Sequence, residues 1–131
     1  MKLSANSRNH LMETFKYWDV PKDFADPMYN YLVHGYNPGS FFTSILANDF
    51  AGAVQRSHPA NTVEALKHLV GWIGDTMPAE AFGSYKEVSD WCYLKDNVRR
   101  EILEGLSLVF SVEDEAIMIL SGTVINEPVL Y

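Results

Sequence analysis

The sequence of 131 residues predicts an all-α fold, a compact bundle of five to seven short helices. Three observations support this class. Apolar residues recur at spacings of three and four, and serine, aspartate, asparagine, glycine and proline mark starts and stops between these segments. The third is that 47% of the residues are hydrophobic, which is enough to fill one core without disulfides. The last residues, 123–131, are β-leaning and are predicted to form an extended or strand-like arm.

The first two predicted helices occupy the N-terminal third of the chain. Residues 5–18 form an amphipathic segment. Its apolar face carries Leu11, Phe15 and Trp18. Asp26 precedes Pro27, and this pair is typical of an N-cap followed by proline at the first helical position. Gly35 is predicted to end this helix in the left-handed conformation.

Two further helices are predicted to begin at proline signals. Asn37-Pro38 repeats the start signal, and Ser57-His58-Pro59 is expected to start the most clearly amphipathic helix, which ends before Pro78. The apolar stripe of the first of these helices contains Phe41, Phe42, Ile45 and Leu46. The stripe of the second contains Val63, Leu66, Leu69, Val70 and Ile73.

The last three helices are predicted from their caps. Ser84 and Glu87 have the spacing of a capping box, and Asp96 or Asn97 is expected to cap the next helix. Ser111 is a weaker cap before the final helical segment. The apolar positions of these segments include Val88, Trp91, Ile102, Leu103, Leu106, Val109 and Phe110.

Asn48 and Asp49 interrupt an otherwise apolar stretch. Asp49 is four residues from both Ile45 and Ala53, so in a continuous helix its carboxylate would share their apolar face. A lone buried carboxylate is costly, which favours either a helix break with Asp49 as the cap of a second helix or a pair between Asp49 and Arg56 or another basic residue across the core. The functional alternative is that Asn48, Asp49 and Arg56 face a pocket.

The length and net charge of the chain limit the classes of protein to which it can belong. The chain predicts one domain over residues 1–131, with a motif region at about 20–95 and a C-terminal helical segment at about 96–131. Its net charge of −7 argues against nonspecific binding to nucleic acid. A single cysteine, the absence of a signal-peptide pattern and the lack of a long apolar run predict a cytoplasmic protein without membrane contact.

A candidate anion site lies at the predicted start of the helix after residue 96. Arg99 and Arg100 sit where helices prefer acidic residues, and guanidinium groups beside free backbone N–H groups can recognise phosphate. With Arg56 and an aromatic ring such as Trp91, they would hold a phosphate-bearing ligand. The alternative is a solvated or partner-facing turn.

A candidate protein-binding surface combines aromatic and acidic residues. Tyr29, Tyr31 and Tyr36 are close in sequence, and tyrosine is enriched at interfaces when it is exposed. Glu113-Asp114-Glu115 is the acidic run of the chain. The alternative for the tyrosines is burial in the core, and exposed aromatic stripes would also permit a homo-oligomer.

Catalytic and metal signatures are weak. Glu64 and His68 share a helical face, but a third ligand at metal spacing is missing, so an ion pair is favoured and no metal or cofactor is predicted. Cys92 is interpreted as a small hydrophobic residue. An enzyme would have to use Asp49 with His34 or His58, and no spacing requires it, so the prediction is that the chain is not an enzyme.

One string of residues resembles a known group. The patterns HG-x-x-PG-x-F, L-x-ND, A-x-x-R, N and GS-x-x-x-V-x-x-W, over about residues 30–91, resemble those of small proteins encoded by tailed phages and prophages. The motif positions interpreted as structural are His34, Gly35, Pro38, Gly39, Asn48, Asp49, Asn61 and Ser84. The resemblance implies a phage origin, and hence the cytoplasm of an infected bacterium.

These observations lead to an ordered set of functional hypotheses. The first is a small phage-encoded protein that binds a host protein, such as a defence component, and blocks it by occlusion. The alternative is a protein that sequesters a small phosphate-bearing ligand such as a signalling nucleotide. A small enzyme is the third hypothesis.

Overall fold

The computed structural model describes residues 3–4 and 6–120, and this part of the chain is a bundle of short helices. The predicted arm at residues 123–131 lies outside the described residues. The all-α class is confirmed, and short 3₁₀ turns at Lys22–Phe24 and Ala79–Ala81 join some of the helices. The helices are α1 (Asn6–Tyr17), α2 (Ala25–His34), α3 (Ser40–Leu46), α4 (Phe50–Arg56), α5 (Val63–Thr76), α6 (Tyr85–Tyr93), α7 (Asp96–Gly105) and α8 (Val112–Leu120).

The core is built from apolar residues of α1 to α7. Trp72 on α5 is fully buried, its ring meets Phe15 of α1 edge-on at 4.5 Å, and its indole N–H donates to Thr14 Oγ1 at 2.8 Å. The predicted stripe of α5 is corrected at two positions: Val63 and Val70 are 63% and 43% exposed, because Trp72 takes the core-facing place next to Leu69 and Ile73.

Several predicted helix starts are wrong by a few residues. A 3₁₀ turn runs directly into α2, so Asp26 lies inside the first turn and pairs with Arg8 rather than capping the helix. The proline that follows is tolerated there because first-turn N–H groups have no helical partner. The caps of α3 and α5 are Gly39 and Thr62 instead of Asn37 and Ser57.

The start of α7 is also corrected. Neither Asp96 nor Asn97 caps it: Asp96 is the first helical residue and its carboxylate pairs with Arg99. The helix ends at Gly105, so Leu106, predicted to be on its apolar stripe, is half exposed. The Ser84 cap of α6 is confirmed, since Ser84 Oγ accepts from the backbone N–H of Glu87 at 3.1 Å.

Hydrogen bonds tie the N-terminal segment to the connection between α7 and α8. The backbone N–H of Ser4 and the hydroxyl of Ser7 both donate to the carbonyl of Phe110, at 2.9 and 3.0 Å. Phe110 N–H in turn donates to Ser7 Oγ at 3.1 Å, and Leu3 forms an isolated antiparallel bridge with Ser111. Residues more than a hundred positions apart are therefore joined in one buried set of bonds.

Candidate functional site

The break between α3 and α4 forms as the sequence predicts. Asn48 adopts a left-handed φ of 64°, and Asp49 caps α4 by accepting from the N–H of Gly52 at 3.0 Å. Asn tolerates this backbone better than most residues. The predicted pair is present as well, because the Asp49 carboxylate lies 3.7 Å from the Arg56 guanidinium. The cap and the ion pair, given as alternatives from the sequence, are thus both present.

Two side chains not singled out in the sequence complete this cluster. Tyr85, the first residue of α6, donates to Asp49 Oδ2 at 2.6 Å, and Arg56 donates to the hydroxyl of buried Ser44. Gly52 makes room for the cluster, since a β-carbon there would collide with the Asp49 carboxylate and the Arg56 guanidinium. The Asp49 cluster therefore links α3, α4 and α6. Tyr85 lies thirty-six residues from Asp49, so local spacing holds no signal for this contact.

The cluster favours the ionised carboxylate. Hydrogen bonds from the Tyr85 hydroxyl and the Gly52 N–H, with the nearby Arg56 charge, lower the pKa of Asp49. A lowered native pKa means that Asp49 stabilises the fold above its unfolded-state pKa of about 3.9. This contribution is lost as the pH falls through the native pKa.

The Asp49→Ala variant is expected to melt a few degrees below the wild type at neutral pH, because α4 loses its cap. Asp49→Asn is the matched control: its amide oxygen can still cap, but it has no charge. The difference in melting temperature between wild type and Asp49→Asn should shrink as the pH is lowered from 7 to below 3. A constant difference across that range would show that the carboxylate charge contributes nothing.

A second group of polar and aromatic residues lies at the C-terminal end of α2. Gly35 ends the helix with a left-handed φ of 69°, as predicted, and its N–H donates to the carbonyl of Tyr31 at 3.0 Å. Beyond it, the Tyr36 ring stacks on His34 at 5.3 Å, and Tyr29 meets His34 edge-on at 6.0 Å. We call Tyr29, His34 and Tyr36 the aromatic edge.

The three tyrosines predicted to bind a partner separate into two roles. Tyr36 is 62% exposed and Tyr29 is partly buried, so both are accessible. The prediction that Tyr31 binds a partner is wrong. Tyr31 is fully buried, and its hydroxyl donates to the carbonyl of Ala81 at 2.6 Å. Burial raises the pKa of both Tyr29 and Tyr31, whereas the charges of Arg8 and Arg100 act in the opposite direction on Tyr29.

The predicted phosphate site does not assemble around Arg99. This side chain is 2% exposed and donates to the carbonyls of His34, Trp91 and Leu94 and to the Asp96 carboxylate. The prediction of a surface anion site at Arg99 is therefore wrong. The guanidinium is buried in the core because two nearby helix ends present carbonyls without helical partners. Sequence spacing shows that Arg99 opposes its own helix dipole, but not that it serves two other helices.

The other members of the predicted phosphate site have different surroundings. The prediction that Trp91 contacts a ligand is also wrong. Trp91 is fully buried, and its indole N–H donates to the carbonyl of Tyr31 at 3.1 Å. Arg56 belongs to the Asp49 cluster, and its described contacts share no partner with those of Arg99. The structure therefore does not bring Arg56, Trp91 and Arg99 together around a ligand.

A groove of about 620 Å³ runs along the first turns of α7. Asp96 pairs with Arg99, which also donates to His34, and the Arg100 charge acts on the Tyr29 hydroxyl. The groove thus adjoins the aromatic edge. Its lining contains three carboxylates and two cations, so it does not have the excess of positive charge that a phosphate site needs. The α7 groove is lined by Lys95, Asp96, Asn97, Arg100, Glu101 and Glu104.

A smaller cleft of about 320 Å³ has Tyr36 of the aromatic edge in its wall. It is lined by Asp26, Pro27, Asn30, Tyr36, Asn37 and Pro38. The motif residues of this turn have structural roles: Asn37 Oδ1 accepts from the N–H of Gly39 at 2.8 Å, and Gly39 precedes α3 with a φ of 93°. Pro38 is partly exposed in the cleft wall.

The remaining candidate residues are surface groups. Glu113 is exposed on α8, and the side chains of Asp114 and Glu115 lie outside the described part. His68 Nε2 lies 4.0 Å from the Glu64 carboxylate on the same face of α5. Asn61 donates to Ser57 Oγ at 3.1 Å. Burial raises the pKa of Cys92, which disfavours its reactive thiolate.

The histidines proposed for an enzyme do not contact Asp49 in the described residues. His34 is in the aromatic edge, and the ring of His58 accepts from the N–H of Ala60 at 3.0 Å. Within residues 3–4 and 6–120, no three His, Cys, Asp or Glu side chains are grouped so that they could hold a metal ion.

Fold and site together define a small helical protein with an exposed aromatic edge flanked by a mixed-charge groove. No protein-family model, curated protein or solved structure matches the chain. None of the helices in the described residues is long and apolar enough to cross a membrane.

Proposed function

We propose that this chain is a small binding protein that attaches to a host protein of an infected bacterium, such as a defence component, and blocks it by occlusion. The observation that carries the proposal is the aromatic edge. Tyr36 is exposed although it is stacked on His34, and an exposed but preorganised tyrosine is a typical anchor of a protein interface.

The surroundings of the edge suit a protein partner better than a small ligand. Clefts of about 320 and 620 Å³ adjoin it on α2 and α7, and both are open surface features rather than enclosed cavities. A small-molecule site usually buries most of its ligand in a deeper cleft or cavity. A protein surface can instead cover the edge and both clefts together, with polar groups at the rim.

Charge supports a partner with basic surface. The chain has a net charge of −7, and the α7 groove contributes Asp96, Glu101 and Glu104 beside the cations Lys95 and Arg100. Complementary charge increases the rate of encounter more than it increases affinity. The association rate is therefore expected to fall with added salt if these carboxylates face the partner.

The phage and host parts of the proposal rest on the resemblance of residues 30–91. In the structure, that pattern contributes the turn from His34 to Gly39, the Asp49 cluster and the buried Trp91. Two of these three features build the fold, and the turn also carries Tyr36 at its surface. The turn is accordingly where we place recognition.

The test is capture of a partner from an extract of bacterial cells by the immobilised wild type, Tyr36→Ala and Tyr93→Ala. Tyr93 is 86% exposed on α6 and is not part of the edge, which makes it the matched control. We expect wild type and Tyr93→Ala to retain the same protein, and Tyr36→Ala to retain at least about tenfold less of it.

Native mass spectrometry of the eluted complexes separates the hypotheses. A protein-sized addition that disappears in Tyr36→Ala supports occlusion through the edge. Equal retention by all three proteins would contradict the proposal. A small added mass that does not depend on Tyr36 would favour a ligand-sequestering protein instead.

A further inference from the structure

Arg99 is a buried cation. Its guanidinium donates to backbone carbonyls near the ends of α2 and α6 and to the carboxylate of Asp96 in the first turn of α7. It is the charged side chain among the buried residues that the structure describes. Removing a guanidinium from water is costly unless its N–H groups are satisfied. Here Nη2 donates to the carbonyl of His34 at 3.0 Å, and Nη1 donates to the carbonyl of Trp91 at 3.3 Å.

These carbonyls belong to the ends of two helices. Val33 and His34 are the last residues of α2, while Trp91 and Leu94 lie at the end of α6. The last four carbonyls of a helix have no helical partner and carry its negative partial charge. One guanidinium therefore neutralises and joins two helix ends, and its five donors make it suited to this role in a way that lysine is not.

The residue that follows α2 is shaped around this guanidinium. A β-carbon at Gly35 would lie 2.6 Å from both Cζ and Nη1 of Arg99. The absence of a side chain at Gly35 thus lets Arg99 pass directly beneath the turn. Gly35 also directs the chain into Tyr36, whose N–H donates to the carbonyl of Asn30 at 3.3 Å.

We propose that Arg99 is the positioning residue of the aromatic edge: by holding the carbonyl of His34 beneath Gly35, it fixes the turn that stacks Tyr36 on His34. The relevance of Arg99 to partner binding rests on the proposed function. The geometric part does not depend on any partner, because it concerns the conformation of residues 34–36 in the free protein.

The experiment compares Arg99→Lys with wild type by amide hydrogen exchange and by NMR of the His34 and Tyr36 rings. Lysine keeps the charge but cannot reach several carbonyls with planar geometry. We expect the amides of Gly35 and Tyr36 to exchange more than about tenfold faster, and the ring contact between His34 and Tyr36 to weaken. Amides within α5 should change less than those of the turn.

Arg56→Lys is the matched control, because Arg56 contacts the Asp49 cluster and not the edge. It should leave the exchange of Gly35 and Tyr36 at the wild-type rate. Uniformly faster exchange throughout Arg99→Lys would overturn the proposal, since Arg99 would then stabilise the whole fold without a specific effect on the edge. Unchanged exchange at Gly35 would overturn it as well.

A measurement on the wild type covers the case in which Arg99→Lys does not fold. In low denaturant, the amides of Gly35 and Leu94 should open together with one dependence on denaturant concentration, because a single guanidinium holds both helix ends. Independent opening would refute the shared clamp. Loss of partner capture in Tyr36→Ala tests the proposed function separately, so either idea can fail alone.

Discussion

Replacing Trp91 with alanine is expected to lower the free energy of unfolding by about 3–5 kcal/mol. The indole is fully buried on α6, belongs to the hydrophobic core and donates to the carbonyl of Tyr31 on α2. The substitution removes a large apolar surface and leaves a cavity that the close-packed surroundings can refill only in part. Urea denaturation followed by circular dichroism measures the change directly.

Two further variants separate packing from other effects at Trp91. Trp91→Phe retains most of the apolar volume but loses the N–H that donates to the carbonyl of Tyr31, so we expect a cost of about 1–2 kcal/mol. Tyr93→Ala, on the exposed side of the same helix, should change stability by less than about 0.5 kcal/mol. A loss below about 1 kcal/mol in Trp91→Ala would contradict a core position.

Periodicity predicted the apolar faces better than it predicted the role of single residues. Val88 and Trp91 are three residues apart after a Ser84 cap, and that pattern correctly places a short helix with an inward face. The sequence also offers Trp91 as the aromatic ring of a site for a phosphate-bearing ligand. Burial follows from local spacing, whereas a ligand contact requires other segments to meet at one place, and they do not do so at Trp91.

The polar pair Asn48-Asp49 in an apolar stretch shows how much of a structure can be predicted from neighbouring residues alone. A carboxylate in an apolar stripe must be paired or capped, and this argument gives a helix break and an ion pair as the two structural alternatives. The structure has both, since Asp49 caps α4 and also lies near Arg56. Neither alternative predicts Tyr85, which reaches Asp49 through the packing of α6 against α3.

Arg99 marks the limit of prediction from the sequence. Its unfavourable place in the first turns of α7 is visible, but a surface anion site and a buried clamp explain it equally well from local rules. The choice depends on the packing of α2 against α7, a long-range contact that brings the carbonyl of His34 to Arg99 from sixty-five residues away. Helix starts fail for a related reason: 3₁₀ turns and neighbouring caps shift them by a few residues.

The Gly35→Ala variant is expected to lose about 2–5 kcal/mol of stability from two separate sources. Alanine in the left-handed conformation at a φ of 69° costs about 1–2 kcal/mol. The new β-carbon would lie 2.6 Å from the Arg99 guanidinium, and overpacking of this kind costs about 1–3 kcal/mol. Gly39→Ala is the control, because its φ of 93° is also strained but nothing lies within 4 Å of a β-carbon there.

A double-mutant cycle between Gly35→Ala and Arg99→Ala isolates the second source. Arg99→Ala removes the group that the new methyl would strike, so the double variant should be more stable than the sum of the two single changes by at least about 1 kcal/mol. The backbone strain at Gly35 is the same with either residue at position 99 and cancels in the cycle. Simple additivity would mean that the turn moves away from Arg99 at no cost, and the close fit between Gly35 and the guanidinium would then not be what holds the aromatic edge.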